Sequence, residues 1–422
     1  MNGKPDYDIL VVGGGMVGST AALGLARQGW RVGLIEAATW DSLAAPVAPI
    51  NSVTDFEPRV SAISAASQSL LKQLDVWPAI AGERRCAYTR MVVWDGDGTG
   101  RIAFDASELQ APALGMIMEN RILIRGLFLT LRANAVDVLD GASVSGWWEE
   151  GAQRGITLDS GRRLSASLIV AADGPQSRLR QWAGMPTREW DYDQQSIVCT
   201  VATAQSHEFT AWQRFSKTGP LAFLPLQTDD GATRFSSIVW SQDTHEAQRL
   251  MSLDDEAFVT ELNAAIEQQL GAIHAVSARH AFPLRQRHAK DYVRPGMVLI
   301  GDAAHTIHPL AGQGVNLGFS DVRVLLEELA VARETGRSPD EPAMLARYQR
   351  RRKGENISMM AAMEGFKRLF ANEELPLRWL RNAGMRFLDR RGSLKNRIAA
   401  QAMGLNVTAS VNSRIDPDSP RL

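Results

Sequence analysis

The apolar positions of the chain alternate between short uninterrupted runs and runs with helical spacing. Residues 9–12 are Ile, Leu, Val and Val, and they lead through three glycines into an apolar-rich segment. A continuous apolar run bounded by glycine predicts a buried strand, here followed by a turn and a helix. Similar runs predict buried strands over 168–172 and 297–300. Apolar residues three and four positions apart predict helices over 64–74 and 122–133, and a long one from near 316 through 329.

The middle of the chain has a different pattern. The sequence DGDGTG at 95–100 lies between two short apolar runs, 91–94 and 101–104, and predicts a hairpin. Residues 186–284 contain strand-like runs separated by turn residues, and one helix is predicted there over 254–270. The strands predicted in this stretch are 198–202, 221–226 and 235–240.

A glycine motif joins the first strand to the first helix. Gly13, Gly15 and Gly18 follow the strand with the spacing GxGxxG. The first glycine permits the tight turn, the second lets the backbone approach a pyrophosphate, and the third lets the helix pack close to the strand. Glu36 ends the next strand, where an acid can accept hydrogen bonds from an adenosine ribose. These residues predict an adenine dinucleotide site.

Two later motifs favour a flavin. Asp173 and Gly174 follow one predicted buried strand, and Gly301 and Asp302 follow another. A carboxylate such as that of Asp302 can accept from a ribityl hydroxyl, which FAD has and NAD lacks. Backbone amides at the start of the following helix can stabilise negative charge at the N1–C2=O edge of a reduced flavin. The residues of this predicted flavin loop are Gly312, Gly314, Val315 and Asn316.

The three motifs together resemble those of the group A flavoprotein aromatic hydroxylases, which share the p-hydroxybenzoate hydroxylase fold. Within that group, the sequence is similar to the ubiquinone-biosynthesis hydroxylases, closest to the VisC-type 2-polyprenylphenol (2-octaprenylphenol) C5-hydroxylases. The phrases that carry this likeness are 59–63, 119–121, 301–318 and 401–405, and it covers nearly the whole chain. The resemblance implies an FAD-dependent monooxygenase that uses O2 to hydroxylate a polyprenylated phenol, with C5 as the expected ring position.

The resemblance also implies the course of the reaction. FAD is reduced by a hydride donor, oxygen adds to give a C4a-hydroperoxyflavin, and OH is transferred to an electron-rich phenol. The protein must orient the ring and exclude water from the peroxide. NAD(P)H is the expected donor; the choice among NADH, NADPH and a separate reductase stays open, because the sequence has no second Rossmann fingerprint.

The expected fold class is α/β, with a Rossmann-like FAD-binding domain of the p-hydroxybenzoate hydroxylase type assembled from discontinuous segments. An α+β substrate domain with a mixed or antiparallel sheet and a C-terminal helical region complete the expected architecture. A chain of 422 residues exceeds the size at which single cores usually stop growing. The predicted ranges are 1–85, 116–185 and 285–345 for the FAD-binding domain, 86–115 and 186–284 for the substrate domain, and 346–422 for the helical region.

The likeness assigns roles to individual residues. Arg59 and Arg121 are expected near the flavin pyrophosphate and ribityl chain, and Asp173 at a contact shared by flavin and nicotinamide. Asp302 corresponds to the ribityl contact, and residues 309–316 to the loop beside the isoalloxazine ring. The candidate catalytic residues are His305, His308 and Pro309.

No single general base stands out in the sequence. The candidates are Tyr192, His288, His305 and His308, because a base with a pKa near the working pH would favour phenolate character. Aromatic residues of the predicted substrate strands either form an apolar pocket for a prenylated ring or fill a sheet core. These residues are Trp212, Phe215, Phe223 and Trp240.

The composition narrows the classes of partner. The net charge of −1 gives no global bias toward nucleic acid, so no nucleic-acid partner is expected. Cys86 and Cys199 have neither metal nor redox spacing, which suits a reducing cytosol and predicts no metal site. No apolar run reaches about 18 residues, so no membrane span is predicted, and the polar first residues predict no signal peptide.

Charge is segregated at the C-terminal end. Residues 366–404 contain nine Lys or Arg and three acids, interleaved with apolar residues. Basic amphipathic helices can lie on anionic membranes or dock a partner, such as a ubiquinone-biosynthesis complex. The alternative is a helical subdomain packed on the body with its basic face in solvent. The expected location is cytoplasmic and peripheral to the membrane, and a homo-oligomer stays open.

The sequence is also compatible with other functions on the same fold. The nearest is a sister flavin hydroxylase acting on another ring position or another aromatic compound. A flavin halogenase is disfavoured because its Trp-x-Trp-x-Ile-Pro signature is absent from the sequence. A non-catalytic FAD-binding subunit of a biosynthetic complex would use the basic C-terminal helices as its working surface.

Overall fold

The structure, a computed structural model, describes residues 4–134, 136–151, 153–306, 314–371, 382–387, 389 and 392–403. The strands, numbered β1 to β20 in chain order, are Tyr7–Val12, Val32–Ile35, Val60–Ile63, Cys86–Tyr88, Arg90–Asp95, Arg101–Asp105, Gly115–Glu119, Val136–Leu139, Val144–Glu150, Gln153–Leu158, Arg163–Ala171, Thr187–Thr203, Thr210–Ser216, Gly219–Leu226, Phe235–Asp243, Ile273–Val276, His280–Ala289, Val293–Arg294, Met297–Leu299 and His305–Thr306. The α-helices, α1 to α11, are Met16–Arg27, Trp40–Leu43, Ala65–Gln73, Val76–Ala79, Asn120–Arg132, Arg178–Trp182, Thr244–Ser252, Asp255–Ala265, Gly314–Glu334, Pro342–Ala371 and Gly392–Met403.

The first sheet is the nucleotide-binding sheet. Its strand order is β18-β19-β11-β1-β2-β8, and the five strands from β19 to β8 run parallel. Its central strands are buried on both faces, which explains their uninterrupted apolar sequences. Helices α1, α5 and α9 share one hydrophobic core with these strands. The strand–glycine–helix unit, the two further buried strands and the predicted helices α3, α5 and α9 are confirmed.

The second sheet has the order β20-β17-β12-β15-β14-β13-β5-β6, with β16 beside β12. Its neighbouring strands are antiparallel except for the parallel pair β13 and β5, so the sheet is mixed, as expected. The predicted hairpin around 95–100 is the turn between β5 and β6. A small third sheet has the order β3-β7-β4. Residues 90–105 thus share a sheet with 187–289, while the division into domains stays a prediction.

The single helix predicted over 254–270 is wrong in number and length. The structure has two helices in this part of the chain, α7 and α8, separated by Leu253 and Asp254. Asp254 begins α8, because its carboxylate accepts a hydrogen bond from the backbone N–H of Ala257 at 2.8 Å. Helix α8 ends at Ala265, since Glu267 and Gln268 adopt positive φ angles of 56° and 51°.

The four aromatic residues considered for a substrate pocket pack mostly in the protein interior. Phe223 and Trp240 lie in the core between the second sheet and helices α7 and α8, and the Trp240 ring lies 6.0 Å from that of Phe258. Phe215 stacks on Phe370 with ring centroids 4.2 Å apart. Trp212 is only partly buried, against the Trp94 ring at 6.3 Å. Phe223 and Trp240 therefore fill the core beside the sheet, as in the second of the two alternatives given above.

Two simpler predictions concern membrane spans and thiols. Among the described residues, none of the helices combines the length and the apolar character needed to cross a bilayer. Cys86 and Cys199 are both free and buried. Burial raises the pKa of each thiol to about 12, which keeps both protonated and unreactive near neutral pH.

Candidate functional site

The predicted cofactor motifs meet at one edge of the first sheet. Four neighbouring parallel strands end at Val12, Ile35, Ala171 and Leu299, which are aligned in register across the sheet. The loops that leave this edge carry Gly13, Glu36, Asp173 and Gly301 within their first two residues. Ligands of open parallel sheets bind outside the carboxyl ends of the strands. The sheet therefore gathers motifs that lie up to 288 positions apart in sequence.

The glycines of the first motif differ in what requires them. Gly13 has φ of +104°, and a Cβ there would lie 2.3 Å from the carbonyl oxygen of Ala172. A Cβ on Gly18 would lie 1.9 Å from the carbonyl oxygen of Gly13. By contrast, a Cβ on Gly15 would meet no protein atom within 4 Å, and its φ of −63° suits any residue. The fold itself demands Gly13 and Gly18, whereas only a ligand at the helix start would demand Gly15.

Glu36 lies beside this turn. Its carboxylate accepts hydrogen bonds from the backbone N–H groups of Gly14, at 2.6 Å, and Ala38, at 2.8 Å. Both bonds fix the carboxylate at the mouth of a cavity of about 440 Å³. The cavity lining brings together the predicted residues Gly13, Gly15, Glu36 and Asp173.

Asp173 offers an unused acceptor in the same cavity. Its Oδ2 accepts from the backbone N–H of Leu179 at 3.1 Å. Its Oδ1 is buried and has no hydrogen-bond partner within the described part of the chain. A buried carboxylate oxygen without a donor is costly, so it is best satisfied by a ligand that donates. The open space at Gly15 and this acceptor both fit a dinucleotide.

Asp302 lies in a short 3-10 turn, Gly301–Ala303, directly after β19. The residue is exposed, and none of the described residues hydrogen-bonds its carboxylate. Even so, the protein around the carboxyl raises the pKa of Asp302 through desolvation, with Arg59 among the charges that oppose the shift. Arg59 itself is exposed. Both residues therefore stand where a ligand can reach them.

Arg121 is less free than the resemblance implies. Its guanidinium donates to Glu119 at 2.8 Å and to the carbonyl oxygen of Asp55 at 2.7 Å. Glu119 also accepts from Arg84 at 2.6 Å, and both of these side chains are only 2% exposed. Arg84 was not found from the sequence, because an arginine in a polar stretch gives no periodic signal. The expected pyrophosphate contact of Arg121 stays a prediction.

The predicted flavin loop is described only from Gly314 onward. Gly314 and Val315 begin α9, whose first backbone N–H groups have no partner within the helix. The Asn316 side chain is engaged elsewhere: its Oδ1 accepts from Ser64 N at 3.0 Å and Ser67 Oγ at 2.7 Å. Three predicted residues lie outside the described part of the chain: His308, Pro309 and Gly312.

His305 is a buried member of a charged network. Its Nε2 lies 2.6 Å from Oδ2 of Asp321, which also accepts from the backbone N–H of Gly301 at 2.9 Å. The other carboxylate oxygen of Asp321 accepts from Nε of Arg352 at 2.7 Å. Asp321 and Arg352 were not found from the sequence, because both lie on helices whose apolar spacing predicts only packing. The catalytic role predicted for His305 stays a prediction.

The other base candidates lie at a second cavity, of about 640 Å³. His288 and Tyr192 both line it. Tyr192 donates to Gln286, and Nε2 of His288 lies 2.8 Å from the hydroxyl of Tyr292. Desolvation, with like charges nearby, lowers the pKa of His288 to about 4. An imidazole with so low a pKa is a weak base at neutral pH, which disfavours His288 as the general base.

His288 also makes stability depend on pH. Its folded-state pKa of about 4 lies below the ordinary 6.5, so the unfolded chain binds this proton more readily. The contribution of neutral His288 to the free energy of unfolding is complete above pH 6.5 and is lost as the pH falls toward 4. The total loss is about 3 kcal/mol at most. We expect the free energy of unfolding of the His288→Gln variant to fall less than that of the natural protein as the pH is lowered. Denaturant titrations of both proteins at pH 7.5 and 4.5 measure this difference, and equal declines would contradict it.

Comparisons with known proteins decide the family. A family model described as an FAD binding domain matches residues 6–361. The 3-demethoxyubiquinol 3-hydroxylase of Escherichia coli (strain K12) is 39% identical over 402 residues, which cover 94% of this chain and 98% of that protein. The chain belongs to the FAD-dependent ubiquinone-biosynthesis hydroxylases. The resemblance is therefore confirmed at the level of this family, and this hydroxylase is an FAD-dependent aromatic-ring monooxygenase.

Other relatives of this hydroxylase agree. The ubiquinone hydroxylase of Rhodospirillum rubrum is 34% identical, over 98% of this chain and 92% of its own. The mitochondrial ubiquinone biosynthesis monooxygenase of Mus musculus is also 34% identical, over 94% and 90%. Among solved structures, p-nitrophenol 4-monooxygenase from Pseudomonas putida DLL-E4 superimposes with a TM-score of 0.74 at 18% identity, covering 94% of this chain and 98% of that one. This last likeness shows the fold, and the expected p-hydroxybenzoate hydroxylase architecture is confirmed.

The described part of the basic C-terminal segment contacts the body. Lys395 is buried and lies 2.9 Å from Glu108, and Asn382 accepts from the backbone N–H of Thr99 at 2.8 Å, in the turn between β5 and β6. Arg386 and Arg397 are exposed. This arrangement combines a docked helical segment with basic side chains in solvent.

Proposed function

We propose that this hydroxylase adds OH to the ring of a polyprenylated phenol in ubiquinone biosynthesis, at C5 of the 2-polyprenylphenol ring. The supporting observation is the convergence of Gly15, Glu36, Asp173 and Asp302 at one sheet edge in a chain related over its full length to ubiquinone-biosynthesis hydroxylases. The C5 position rests on the sequence phrases. The E. coli relative, which is named for hydroxylation at position 3, supplies the rival ring position.

The chain's own residues have defined tasks in this proposal. Bound FAD supplies electron transfer from NAD(P)H and activation of O2. Gly15 and the N-terminus of α1 would hold the pyrophosphate, since unpaired amides and the positive helix end favour negative charge. Asp302 would accept a hydrogen bond from the ribityl chain, and the amides at the start of α9 would stabilise negative charge on the cofactor. Oδ1 of Asp173 would accept a hydrogen bond from the cofactor or from the nicotinamide.

The test is complementation of a strain that lacks its ring hydroxylases. Quinone precursors are identified by mass spectrometry, and the purified protein is examined for flavin absorbance. Restored C5 hydroxylation supports the proposal, and restored hydroxylation at the 3-position assigns the rival. A yellow protein that restores neither reaction contradicts the substrate class and favours the non-catalytic subunit. The Gly15→Val variant, which is expected not to retain FAD, serves as the negative control.

A location at the membrane face follows from a lipid-soluble substrate. We propose that Arg386 and Arg397 contribute to binding an anionic bilayer, because each basic residue near such a surface adds about 1 kcal/mol. The double change Arg386→Glu/Arg397→Glu is expected to weaken sedimentation with vesicles containing anionic lipid by about tenfold or more. The matched double change Arg337→Glu/Arg350→Glu alters net charge equally. Equal losses of vesicle binding in the two double variants would rule out a specific membrane-binding surface at Arg386 and Arg397.

A further inference from the structure

The turn that carries Asp302 is held from behind by a buried carboxylate. Asp321, on α9, is fully buried, and its Oδ2 accepts from both the backbone N–H of Gly301 and Nε2 of His305. These two donors flank Asp302 in sequence. Because this carboxylate binds the backbone of the residue before Asp302 and the His305 side chain three residues after it, it restricts the position of the segment between them.

Arg352 keeps this carboxylate charged. Its side chain is fully buried on α10 and donates from Nε to Oδ1 of Asp321 at 2.7 Å, opposite the turn. Burial by itself would raise the pKa of Asp321, but His305 and Arg352 together lower it below the ordinary value. An ionised carboxylate only accepts hydrogen bonds, so the proton of His305 must lie on Nε2.

The network continues from Arg352 to two further buried side chains. Nη2 of Arg352 donates to Asn356 at 2.8 Å, and Nδ2 of Asn356 donates to the hydroxyl of Tyr292 at 3.1 Å. Asn356 and Tyr292 are fully buried as well. The guanidinium is therefore fixed by several partners, which makes it a rigid support for Asp321.

We propose that Asp321 is a positioning residue for FAD: by binding Gly301 and His305 at once, it holds Asp302 where the cofactor requires it. This inference rests on the FAD site proposed above. Asp321 contacts no ligand itself and acts through the turn. The alternative role, that of a mere counterion for Arg352, predicts different behaviour in paired substitutions.

Two double variants separate these roles, because both remove the ion pair but only one keeps the acceptor. In Asp321→Asn/Arg352→Gln, the amide oxygen can still accept from Gly301 and His305 while its NH2 group faces the new glutamine. In Asp321→Leu/Arg352→Met, an apolar pair fills the same space and offers no acceptor. Exchange of a buried ion pair for apolar side chains is often tolerated in stability.

The measurements are the Kd for FAD, from titration of apoprotein by flavin fluorescence, and the apoprotein Tm. We expect the acceptor-keeping double variant to bind FAD nearly as well as the natural protein. The apolar double variant should bind about tenfold to a hundredfold more weakly, the loss typical of a missing charged hydrogen bond. Equal FAD affinity in the two double variants would overturn the proposal.

Glu328→Gln is the matched control on the same pair of helices. Glu328 is buried on α9 and binds Arg347 at 2.7 Å and Arg351 at 3.0 Å on α10, without a hydrogen bond to the turn. It should lower the Tm but leave the Kd for FAD within about twofold.

Asp321→Asn alone should raise the Kd by about tenfold or more, because the retained Arg352 would take the single amide oxygen and turn the NH2 group toward the donors of Gly301 and His305. This comparison decides the question even if the apolar double variant does not fold. Failure of the natural protein to bind FAD would contradict the proposed function instead.

Discussion

Replacement of Gly15 by valine should give a folded protein that does not retain FAD. A Cβ at this position meets no protein atom within 4 Å, and the backbone conformation is open to any residue. The new side chain would therefore occupy only the space that the pyrophosphate requires at the start of α1. Overpacking of about 1–3 kcal/mol raises the Kd for FAD by about tenfold to a hundredfold.

The measurement is flavin content after purification, together with the Kd for FAD and the apoprotein Tm. Gly13→Ala and Gly18→Ala are the contrasting variants, because their Cβ atoms collide with the protein itself at 2.3 Å and 1.9 Å. These two should lose stability by roughly 1–3 kcal/mol, whether or not FAD is present. A Gly15→Val protein that remains yellow and fully loaded would refute the dinucleotide turn.

Replacement of Asp302 by alanine should deplete the protein of FAD without unfolding it. Asp302 is exposed and its carboxylate is not hydrogen-bonded by any described residue, so its removal leaves no buried donor unpaired. A charged hydrogen bond to the ribityl chain is worth about 1.5–3 kcal/mol, or roughly tenfold to a hundredfold in Kd.

Asp302→Asn keeps an acceptor oxygen and should bind FAD more tightly than Asp302→Ala. Flavin absorbance of the purified variants and titration of their apoproteins measure both effects. If the alanine variant is isolated with a full complement of FAD, the assigned ribityl contact is wrong.

Much of the first sheet was predictable because its strands are buried on both faces. The apolar runs before Gly13 and Gly301 stand out without knowledge of the partner strands, and parallel pairing then brings the loops together. The second sheet was predicted in kind, and the predicted start of a helix at Asp254 is confirmed by its capping hydrogen bond. Helix α7 was not predicted, and α8 ends at Ala265 rather than at residue 270, because the positive φ angles that follow it leave no trace in apolar spacing.

The site was predictable where backbone geometry demands a residue type, and less so where side chains meet by tertiary contact. Gly13 can be recognised in the sequence from its spacing to Gly15 and Gly18. Asp321 and Arg352 lie 31 positions apart on different helices, and nothing in their own segments marks them as partners. Asn316 shows the converse: its place in the motif suggested a ligand contact, yet its amide ties α9 to Ser64 and Ser67.

Because Arg352 lies on α10, its ion pair with Asp321 limits where the chain can be cut to give a cofactor-binding fragment. The expected border of the cofactor domain falls at residue 345, seven positions before this arginine. A fragment cut there would retain every glycine and acid of the recognisable motifs, yet would lose the cation that balances a buried negative charge behind the Asp302 turn. Such a fragment would leave Asp321 buried without its guanidinium partner, with His305 and the backbone N–H of Gly301 as its remaining donors. The cofactor-binding unit therefore extends physically into the long helix that follows its last sequence signature.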